Sequence, residues 1–482
     1  MKKIIYIIIM IGVVALIFSL QNFKKAYAQS TDRFWTIVTE GSFQLKGERK
    51  IIPLKYNTVK TNINELRTVL RSSPFEFSDR ASTTPLIIEL PMPSGGSSRF
   101  SVTEYSMMEP GLAQHFPEIK TYNVKGIDDP YAVGKLDITM HGFHAMVLTP
   151  NGDFFIDPYS TDETEIYISY FVSDMGSRKE QFECLVTEQK INDLINYNTD
   201  LTGQQLRTYR LACAATGEYT AFHGGTVALG QAAIVTAINR VNGVYERDMS
   251  VRMTLVANNT NIVFTNSATD PYTNNNGVTM LGQNQTTCDN VAFIGSANYD
   301  FGHVFSTGGG GVAGLGVVCI GGSKARGVTG LPSPIGDPFY IDYVAHEMGH
   351  QFGGNHTFNS VTGSCGGGNR NASTAWEPGS GSTIMPYAGI CGADDLQSFS
   401  DAYFHTGSVT EITNYTQSGS GNSCPVITNT GNTPPSVTVP AGGFTIPINT
   451  PFALTGSATD IENPGSLTYC WEQYDVGPAG SP

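Results

Sequence analysis

The pattern of hydrophobic positions opens with a nearly unbroken apolar run over residues 4–20. Lys2 and Lys3 precede this run, and the sequence Ala26-Tyr27-Ala28 follows it. A basic start, an apolar stretch and a small-x-small cleavage site are together typical of a secretory signal peptide. We therefore expect residues 1–28 to be removed on secretion. The alternative is an uncleaved membrane anchor, for which the run is only just long enough.

Residues 29–205 have the pattern of a β-rich region, and one hairpin stands out in it. The pair Asn151-Gly152 separates two apolar segments, residues 143–148 and 153–156. An Asn-Gly pair between two strand-like segments is a strong signal for a tight turn. We therefore predict a β-hairpin at this place.

The pattern changes near residue 208 to a strand–helix–strand order. Residues 209–215 form a short apolar run that is typical of a buried strand, and residues 251–255 alternate as a strand would. Between them, the apolar residues that share one face of a helix are Val227, Ile234, Ile238, Val241 and Tyr245. This order predicts a mixed α/β sheet.

Glycine is concentrated in residues 305–330. A glycine-rich stretch can be a phosphate-binding loop, but the G-K-[ST] ending of such a loop is absent here, so we reject that interpretation. We expect these glycines to let strands and loops approach each other closely.

From about Ser418 the composition shifts to Ser, Gly, Asn, Thr and Pro, which indicates a linker. Short β-like pieces follow over residues 435–482, and they look like the opening strands of a β-sandwich. The stretch has about half the length of such a domain. We therefore expect the chain to be a fragment of a longer protein.

Composition and charge narrow the class of protein. Hydrophobic residues make up 40% of the 482 residues and charged residues only 15%, which excludes a disordered acidic chain. The net charge of −14 argues against nucleic acid as a partner. No stretch after the first 28 residues is apolar enough to span a membrane, so we expect no stable span once the signal is removed.

Secretion changes how the cysteines are interpreted. None of the eight lies in a C-x-x-C pair, so a structural zinc ribbon is not indicated. Disulfides are expected in an oxidising compartment, and we favour a pair between Cys365 and Cys391. The full set is Cys184, Cys213, Cys288, Cys319, Cys365, Cys391, Cys424 and Cys470.

One segment carries the pattern His346-Glu347-x-x-His350-x-x-Gly353-x-x-His356. On a helix, His346 and His350 are one turn apart, so both imidazoles can reach one ion. Gly353 can end the helix in a left-handed conformation and let the chain bring His356 to the same ion. Three neutral imidazoles suit Zn²⁺ and leave a fourth position for water. Glu347, beside the first ligand, is a natural general base for that water.

This extended motif resembles that of the metzincin zinc endopeptidases. That family also has a tight turn with a Met downstream of the third His, and Gly381-Ser-Thr-Ile-Met385-Pro-Tyr387 fits it. The resemblance implies that Met385 lies beneath the metal site. Residues 312–319 and 325–328 look like the strand region before the active-site helix in the reprolysin-like, adamalysin-type branch. In that branch an edge strand, here near residues 312–318, binds the substrate backbone.

Two positions depart from the adamalysin pattern or add to it. Adamalysins usually have Asp after the third His, and this chain has Thr357. Tyr387 stands two residues after the Met, where astacins and serralysins keep a Tyr that can approach the zinc. The resemblance therefore implies that Tyr387 is a fifth ligand or a transition-state hydrogen-bond donor. The alternative is that it simply packs in the turn.

Cys184 lies before the catalytic unit, in the region that the resemblance makes a propeptide. Zymogens of this clan often hold a propeptide Cys thiolate on the zinc, so Cys184 is a candidate cysteine switch. The Pro/Lys and Gly that usually surround such a switch are missing here. The alternatives are a disulfide partner and a buried thiol.

The best overall match is to secreted bacterial reprolysin-like metallopeptidases with a propeptide and C-terminal Ig-like domains. The expected fold is a mixed α/β, or α+β, metzincin catalytic domain after a β-rich propeptide region. The expected divisions are a signal peptide at 1–28, the propeptide region at 29–205, the catalytic domain at 206–428, a linker at 429–434 and a partial Ig-like β-sandwich at 435–482.

The function expected from these features is that of a secreted, extracellular zinc endopeptidase, made as a zymogen, with one catalytic Zn²⁺ and protein or peptide substrates. A structural Ca²⁺ is left open, because no sequence pattern specifies its ligands. The first alternative is a secreted adhesion or binding protein with a non-proteolytic metzincin-like domain, against which the intact Glu347 argues. The second is a non-proteolytic zinc hydrolase, which the Met385 turn disfavours.

Overall fold

The structure is a computed structural model that describes residues 34–176, 184–187, 202–439 and 445–480. The signal peptide predicted for residues 1–28 lies outside these ranges. Among the described residues, no helix combines the length and the apolar character that a membrane crossing requires.

The N-terminal part of the chain is built on one antiparallel sheet of nine strands. These are β1 (Thr36–Ile37), β2 (Asn57–Lys60), β3 (Leu86–Pro91), β4 (Ser97–Tyr105), β5 (Lys120–Gly126), β6 (Val133–Thr139), β7 (Gly142–Leu148), β8 (Phe154–Pro158) and β9 (Ile166–Phe171). Their order is β1-β2-β9-β8-β7-β6-β5-β4-β3. The hairpin predicted at Asn151-Gly152 is confirmed as the β7–β8 pair, in which Gly152 takes a φ of 117° that suits glycine.

The sheet curls until its two edges approach each other. The indole nitrogen of Trp35 donates a hydrogen bond of 3.1 Å to the carbonyl of Glu89, which joins the β1 side to β3. Helix α1 (Ile63–Leu70) packs against this sheet, because its fully buried Leu66 and Leu70 share a hydrophobic cluster with Phe100 and Phe154. Two shorter helices, α2 (Asp79–Thr83) and α3 (Pro110–His115), connect strands of this N-terminal domain.

A second, mixed sheet forms the core of the part that follows. Its strands are β10 (Cys184–Thr187), β11 (Gln205–Ala215), β12 (Val251–Leu255), β13 (Phe301–Ser306), β14 (Gly311–Gly314), β15 (Gly327–Gly330) and β16 (Val426–Asn429). The order is β10-β14-β15-β13-β11-β12, and β16 also pairs with β11. β11 runs parallel to β12 and β13, whereas β14 is antiparallel to β15, so the mixed sheet predicted from the sequence is confirmed.

The helices of this second part are α4 (Gly217–Phe222), α5 (Val227–Met249), α6 (Gly277–Asp289), α7 (His346–Gln351) and α8 (Thr406–Gln417). Single 3₁₀ turns occur at 172–174, 259–262, 296–298, 363–365, 392–394 and 420–423. The predicted amphipathic helix is α5, which begins at Thr226, where the side chain accepts the Leu229 amide, and ends at Ser250 in a left-handed conformation.

Helix α7 continues a helical run that starts with one turn at Asp337–Phe339 and a π-helical turn at Tyr340–Ala345. After Gln351 the chain reaches Gly353, which has a φ of 95°. That left-handed conformation is costly for residues with a Cβ. The prediction that Gly353 ends this helix is therefore confirmed.

Three expectations from the sequence are corrected. The edge strand expected near residues 312–318 is shorter, because β14 ends at Gly314 and a turn follows. β14 is also not at an edge here, since β10 pairs with it in parallel. The composition shift at Ser418 does not mark a plain linker, because β16 completes the sheet beyond it.

The described C-terminal residues contain one small antiparallel pair, β17 (Ser436–Thr438) with β18 (Ser457–Thr459). Both strands are largely exposed. The Ig-like β-sandwich expected for residues 435–482 stays a prediction.

Candidate metal centre

Three imidazoles meet beside α7 and the turn that follows it. His346 and His350 lie one turn apart on the helix, and their Nε2 atoms are 3.0 Å from each other. The left-handed Gly353 turns the chain back, so that Nε2 of His356 also lies 3.0 Å from Nε2 of His350. All three side chains are buried. The structure therefore brings together the three histidines that the sequence singles out.

The other nitrogen of each ring is held by a backbone carbonyl. Nδ1 of His346 donates to Ile384 O, and Nδ1 of His350 donates to Gly354 O, both at 2.7 Å. Nδ1 of His356 reaches a third carbonyl, that of Asn369, also at 2.7 Å. A proton on Nδ1 leaves Nε2 as a free lone pair in the neutral ring.

These contacts test whether the site suits a metal ion. Three Nε2 lone pairs converge at hydrogen-bond distance with no proton to share, because each ring's proton is held at Nδ1. Burial lowers the pKa of His346 to about 4 and that of His356 to about 3, and it lowers the pKa of His350 well below its usual value. Neutral, convergent imidazoles are the donors that Zn²⁺ prefers, so the residues fit the ion.

Glu347 is fully buried and interacts with the Cys184 side chain. Burial raises the pKa of its carboxyl to about 8, while the nearby Cys184 thiol lowers it. A nearby divalent cation would favour the ionised carboxylate. The group is thus placed in a dry position from which it can hold and release a proton.

Met385 lies directly under α7. A Cβ added at Gly349 would stand only 2.4 Å from the Met385 sulfur, so the helix and the turn after Gly381 are in close contact. Met385 is fully buried, and the Ile384 carbonyl beside it is the acceptor for His346. The turn therefore supports the helix and orients one imidazole.

Tyr387 reaches the site from the same turn. Its ring lies 4.7 Å from the ring of His356, and its hydroxyl donates a hydrogen bond of 3.1 Å to the carbonyl of Cys184. The role of Tyr387 as a ligand or a transition-state donor stays a prediction.

Cys184 completes the cluster from the N-terminal side. Its sulfur lies 3.6 Å from Nε2 of His350 and 3.7 Å from Nε2 of His356. The donor atoms of Cys184 and the three histidines all lie within 4.8 Å of one another. The sulfur is not in a disulfide, so that alternative for Cys184 is wrong. Burial, with Glu347 nearby, raises the pKa of the thiol well above its ordinary value.

Sequence reasoning missed Glu377, which joins the third-ligand loop to the Met385 turn. Its Oε1 accepts the hydroxyls of Thr357 and Thr383 at 2.7 and 2.6 Å. Its Oε2 accepts the amides of Ser382 and Thr383 at 2.9 and 3.1 Å. Thr357, the departure from the adamalysin pattern, is thus the hydroxyl that Glu377 binds. No spacing in the sequence indicated this contact across 20 residues.

Glu411 on α8 is a second missed carboxylate. It accepts the backbone amide of Asn355 at 2.9 Å and the side-chain amide of the same residue at 2.6 Å. Burial raises its pKa to about 7. Glu411 therefore fixes the residue that immediately precedes His356.

Two disulfides brace the surroundings of the site. The favoured pair Cys365–Cys391 is confirmed, and it links the loop after His356 to the chain after Tyr387. The second pair, Cys319–Cys424, was not predicted. The free cysteines of the described residues are Cys184, Cys213, Cys288 and Cys470.

Comparison with known proteins bears on this site. Residues 205–416 match the family described as metallo-peptidase family M12B, reprolysin-like. No curated protein sequence matches the chain. A crystal structure of metalloproteinase-II from Bacteroides fragilis is similar, with a TM-score of 0.40 and 12% identity over 72% of this chain and 97% of that one. A structure of a chaperone–substrate complex matches with a TM-score of 0.19 and 9% identity over 27% and 93%. At these TM-scores neither likeness defines the fold.

The family match and the three-histidine centre define the class as a metzincin zinc metalloendopeptidase. More narrowly, the match to the reprolysin-like family M12B covers residues 205–416, which include all three histidines and Met385.

Proposed function

We propose that the chain is a secreted endopeptidase made as a latent zymogen, with His346, His350 and His356 as the ligands of one catalytic Zn²⁺. The observation that carries this assignment is the convergence of three Nε2 atoms, each ring being held at Nδ1 by a backbone carbonyl. Neutral rings bind the ion without first losing a proton.

When bound, Zn²⁺ supplies Lewis-acid activation of a water molecule and of the scissile carbonyl. Glu347 accepts the proton of the attacking water and delivers it to the leaving amine. Its burial favours this task, because a carboxylate removed from bulk water binds a proton more strongly than a solvated one.

The substrate backbone pairs with β14 in this proposal. β14 is the strand that β10 covers, and it would present free backbone groups once β10 leaves. Tyr387 would then lose its hydrogen bond to the Cys184 carbonyl, and its hydroxyl could donate to a substrate oxygen instead. Protein and peptide chains are the substrates that such backbone pairing recognises.

Latency rests on Cys184 and its strand. The thiol lies beside the Nε2 atoms of His350 and His356, where it can take the position that the catalytic water needs. The strand β10 occupies β14 at the same time. One short segment thus closes both the metal position and the substrate position.

Casein digestion by the processed protein, with and without a chelator, tests the activity. We expect digestion that the chelator abolishes and added Zn²⁺ restores. A processed protein that never cleaves casein would support the adhesion-protein alternative, and cleavage of small esters alone would support the non-proteolytic hydrolase.

Metal analysis tests the ligands separately. We expect His350→Ala to lose most of its zinc, while the exposed His115→Ala control keeps it. Full retention of zinc by His350→Ala would contradict the ligand assignment.

A further inference from the structure

Helix α5 is enclosed between the two sheets of the molecule. One side of α5 packs against β11, β12 and the turn Tyr340–Ala345 of the metallopeptidase part. The opposite side faces β6 and β7 of the N-terminal domain. One continuous core contains Met146 and Phe155 of the N-terminal sheet together with Ile234 and Ile238 of the helix. Such an apolar, continuous contact resembles the inside of a domain.

Polar groups on α5 are matched to partners on the N-terminal sheet. Nη2 of Arg240 lies 2.5 Å from Oδ1 of Asp157, and both side chains are almost completely buried. The Tyr170 hydroxyl donates to the other oxygen of Asp157 at 2.8 Å. A buried ion pair of this kind fixes the orientation of two surfaces more than it adds to their affinity.

A second polar contact lies one turn away on the helix. The hydroxyl of Thr236 donates to Oδ1 of Asp137 at 2.9 Å, and the amide of Asn239 donates to its Oδ2 at 3.2 Å. Asp137 belongs to β6, and Nδ1 of His144 on β7 also lies 2.8 Å from Oδ1 of Asp137. The match therefore extends along the helix.

Gly243 gives independent evidence for this surface. Glycine inside a helix is less favourable than alanine by about 1 kcal/mol. A Cβ at Gly243 would stand 2.5 Å from Cε of Met146 and 3.2 Å from Cγ of Lys135, and these are the neighbours that it would meet within 4 Å. Both residues belong to the N-terminal domain. The glycine thus serves the contact between the domain and the helix.

We propose that this face of α5 is a binding surface for the N-terminal domain after the chain has been cut between them. Cleavage in segment 188–201, which lies outside the described residues, would then leave the N-terminal domain bound. Because Cys184 belongs to the bound fragment, its thiol would stay at the three histidines. Full activation of the parent protein therefore requires removal or destruction of the N-terminal domain. This statement about activation rests on the proposed function, whereas the binding surface does not.

The test uses the full chain after residue 28, with a site for a specific protease inserted in segment 188–201. After complete cutting, we expect the two fragments to co-elute in size-exclusion chromatography and casein digestion to stay at the uncut level. Digestion of the N-terminal fragment by a second protease should then raise activity. Separate elution of the fragments, or full activity directly after the first cut, would overturn the proposal.

Two variants test the surface itself. Asp157→Asn keeps an acceptor for Tyr170 but leaves Arg240 without its ion pair, and Gly243→Leu places a side chain where Met146 lies. We expect each to raise the dissociation constant of the cut fragments at least tenfold. The control is Gly282→Leu on α6, where a Cβ meets nothing within 4 Å, and it should match the parent. Unchanged dissociation in both variants would overturn the assigned surface.

The two proposals fail in different ways. Co-elution is measured without any catalytic activity, so it judges the binding surface alone. A protein that stays inactive after the N-terminal fragment has been destroyed contradicts the proposed function, even where the fragments co-elute. Circular dichroism of each uncut variant establishes that it is folded before the cut.

Discussion

At the residue scale, the candidate metal centre depends on where each imidazole carries its proton. Backbone carbonyls hold Nδ1 of all three rings, and burial lowers their pKa values, so the rings stay neutral with Nε2 free. The convergence of the rings could be predicted from the sequence, because a four-residue spacing on a helix and a glycine after it are local features. The carbonyls that orient them come from distant segments and could not be predicted.

The proposed proton carrier is tested by Glu347→Gln. The amide keeps the shape of the side chain but cannot accept the proton of water, so we expect zinc and fold to be retained and casein digestion to be almost lost. Metal analysis and kinetics of the processed enzyme measure this. Turnover near that of the parent would remove Glu347 from its role.

Glu377 is expected to position the site without touching the substrate. Glu377→Ala leaves the Ser382 and Thr383 amides without an acceptor, so we expect a loss of at least about 2 kcal/mol in the free energy of unfolding. Zinc should bind about 10–100-fold more weakly, since the third-ligand loop is released.

Glu377→Gln is the matched control for this change. Its amide oxygen can accept the two backbone amides, and its NH₂ can donate to the threonine hydroxyls, which are able to accept. We expect stability and zinc affinity close to those of the parent. Equal zinc affinity in the Ala variant and the parent would contradict the positioning role.

At the element scale, two short segments contact the three histidines: strand β10 and the turn after Gly381 that contains Met385. The sequence predicted a Met turn and a candidate switch cysteine. It did not predict that residues 184–187 form a strand on β14, because strand pairing between distant segments is not encoded in local periodicity.

Cys184→Ala in the uncut chain tests the switch. Removal of the sulfur opens the position near His350 while β10 still pairs with β14, so we expect only a partial rise in activity, whereas Cys470→Ala should change nothing. An uncut Ala variant that stays inactive would assign latency to the backbone of β10. Thiol labelling of the unfolded, uncut chain under non-reducing conditions should modify Cys184, because its sulfur is not in a disulfide.

Met385→Leu tests the support beneath α7. Leucine conserves the volume, so we expect a cost below about 1.5 kcal/mol in stability with zinc and activity retained. Thermal unfolding and metal analysis measure the two effects. Loss of zinc in this variant, or spectroscopic evidence of sulfur ligation, would contradict the packing role.

At the scale of the whole molecule, a nine-stranded domain and a metallopeptidase domain share one hydrophobic core. Arg240 lies inside it because Asp157 of the other domain pairs with it. The amphipathic pattern of α5 predicted one buried face, yet the structure covers both. The sequence pattern does not reveal the second buried face, because polar residues such as Asn239 and Arg240 are usually exposed. Their burial is favourable only because the folded chain supplies hydrogen-bond partners for them.

The contribution of the Cys319–Cys424 disulfide to stability can be tested at this scale. It closes a separation of 105 residues and ties the turn after β14 to the segment before β16. We expect the double variant Cys319→Ala/Cys424→Ala to lose about 2–4 kcal/mol, because the disulfide restricts the unfolded chain. A lower urea midpoint than that of Cys470→Ala would support this, and an equal midpoint would contradict it.

The sequence by itself determined the strand–helix–strand order, the hairpin at Asn151-Gly152 and the three histidines on one short segment. These features depend on neighbours within a few residues, where spacing fixes geometry. Only the tertiary structure decided that Cys184 lies at those histidines, that Glu377 joins two loops, and that α5 lies between two sheets. These contacts join residues far apart in the chain. They depend on the folded structure because a polar group is buried at low cost only where a hydrogen-bond partner lies beside it.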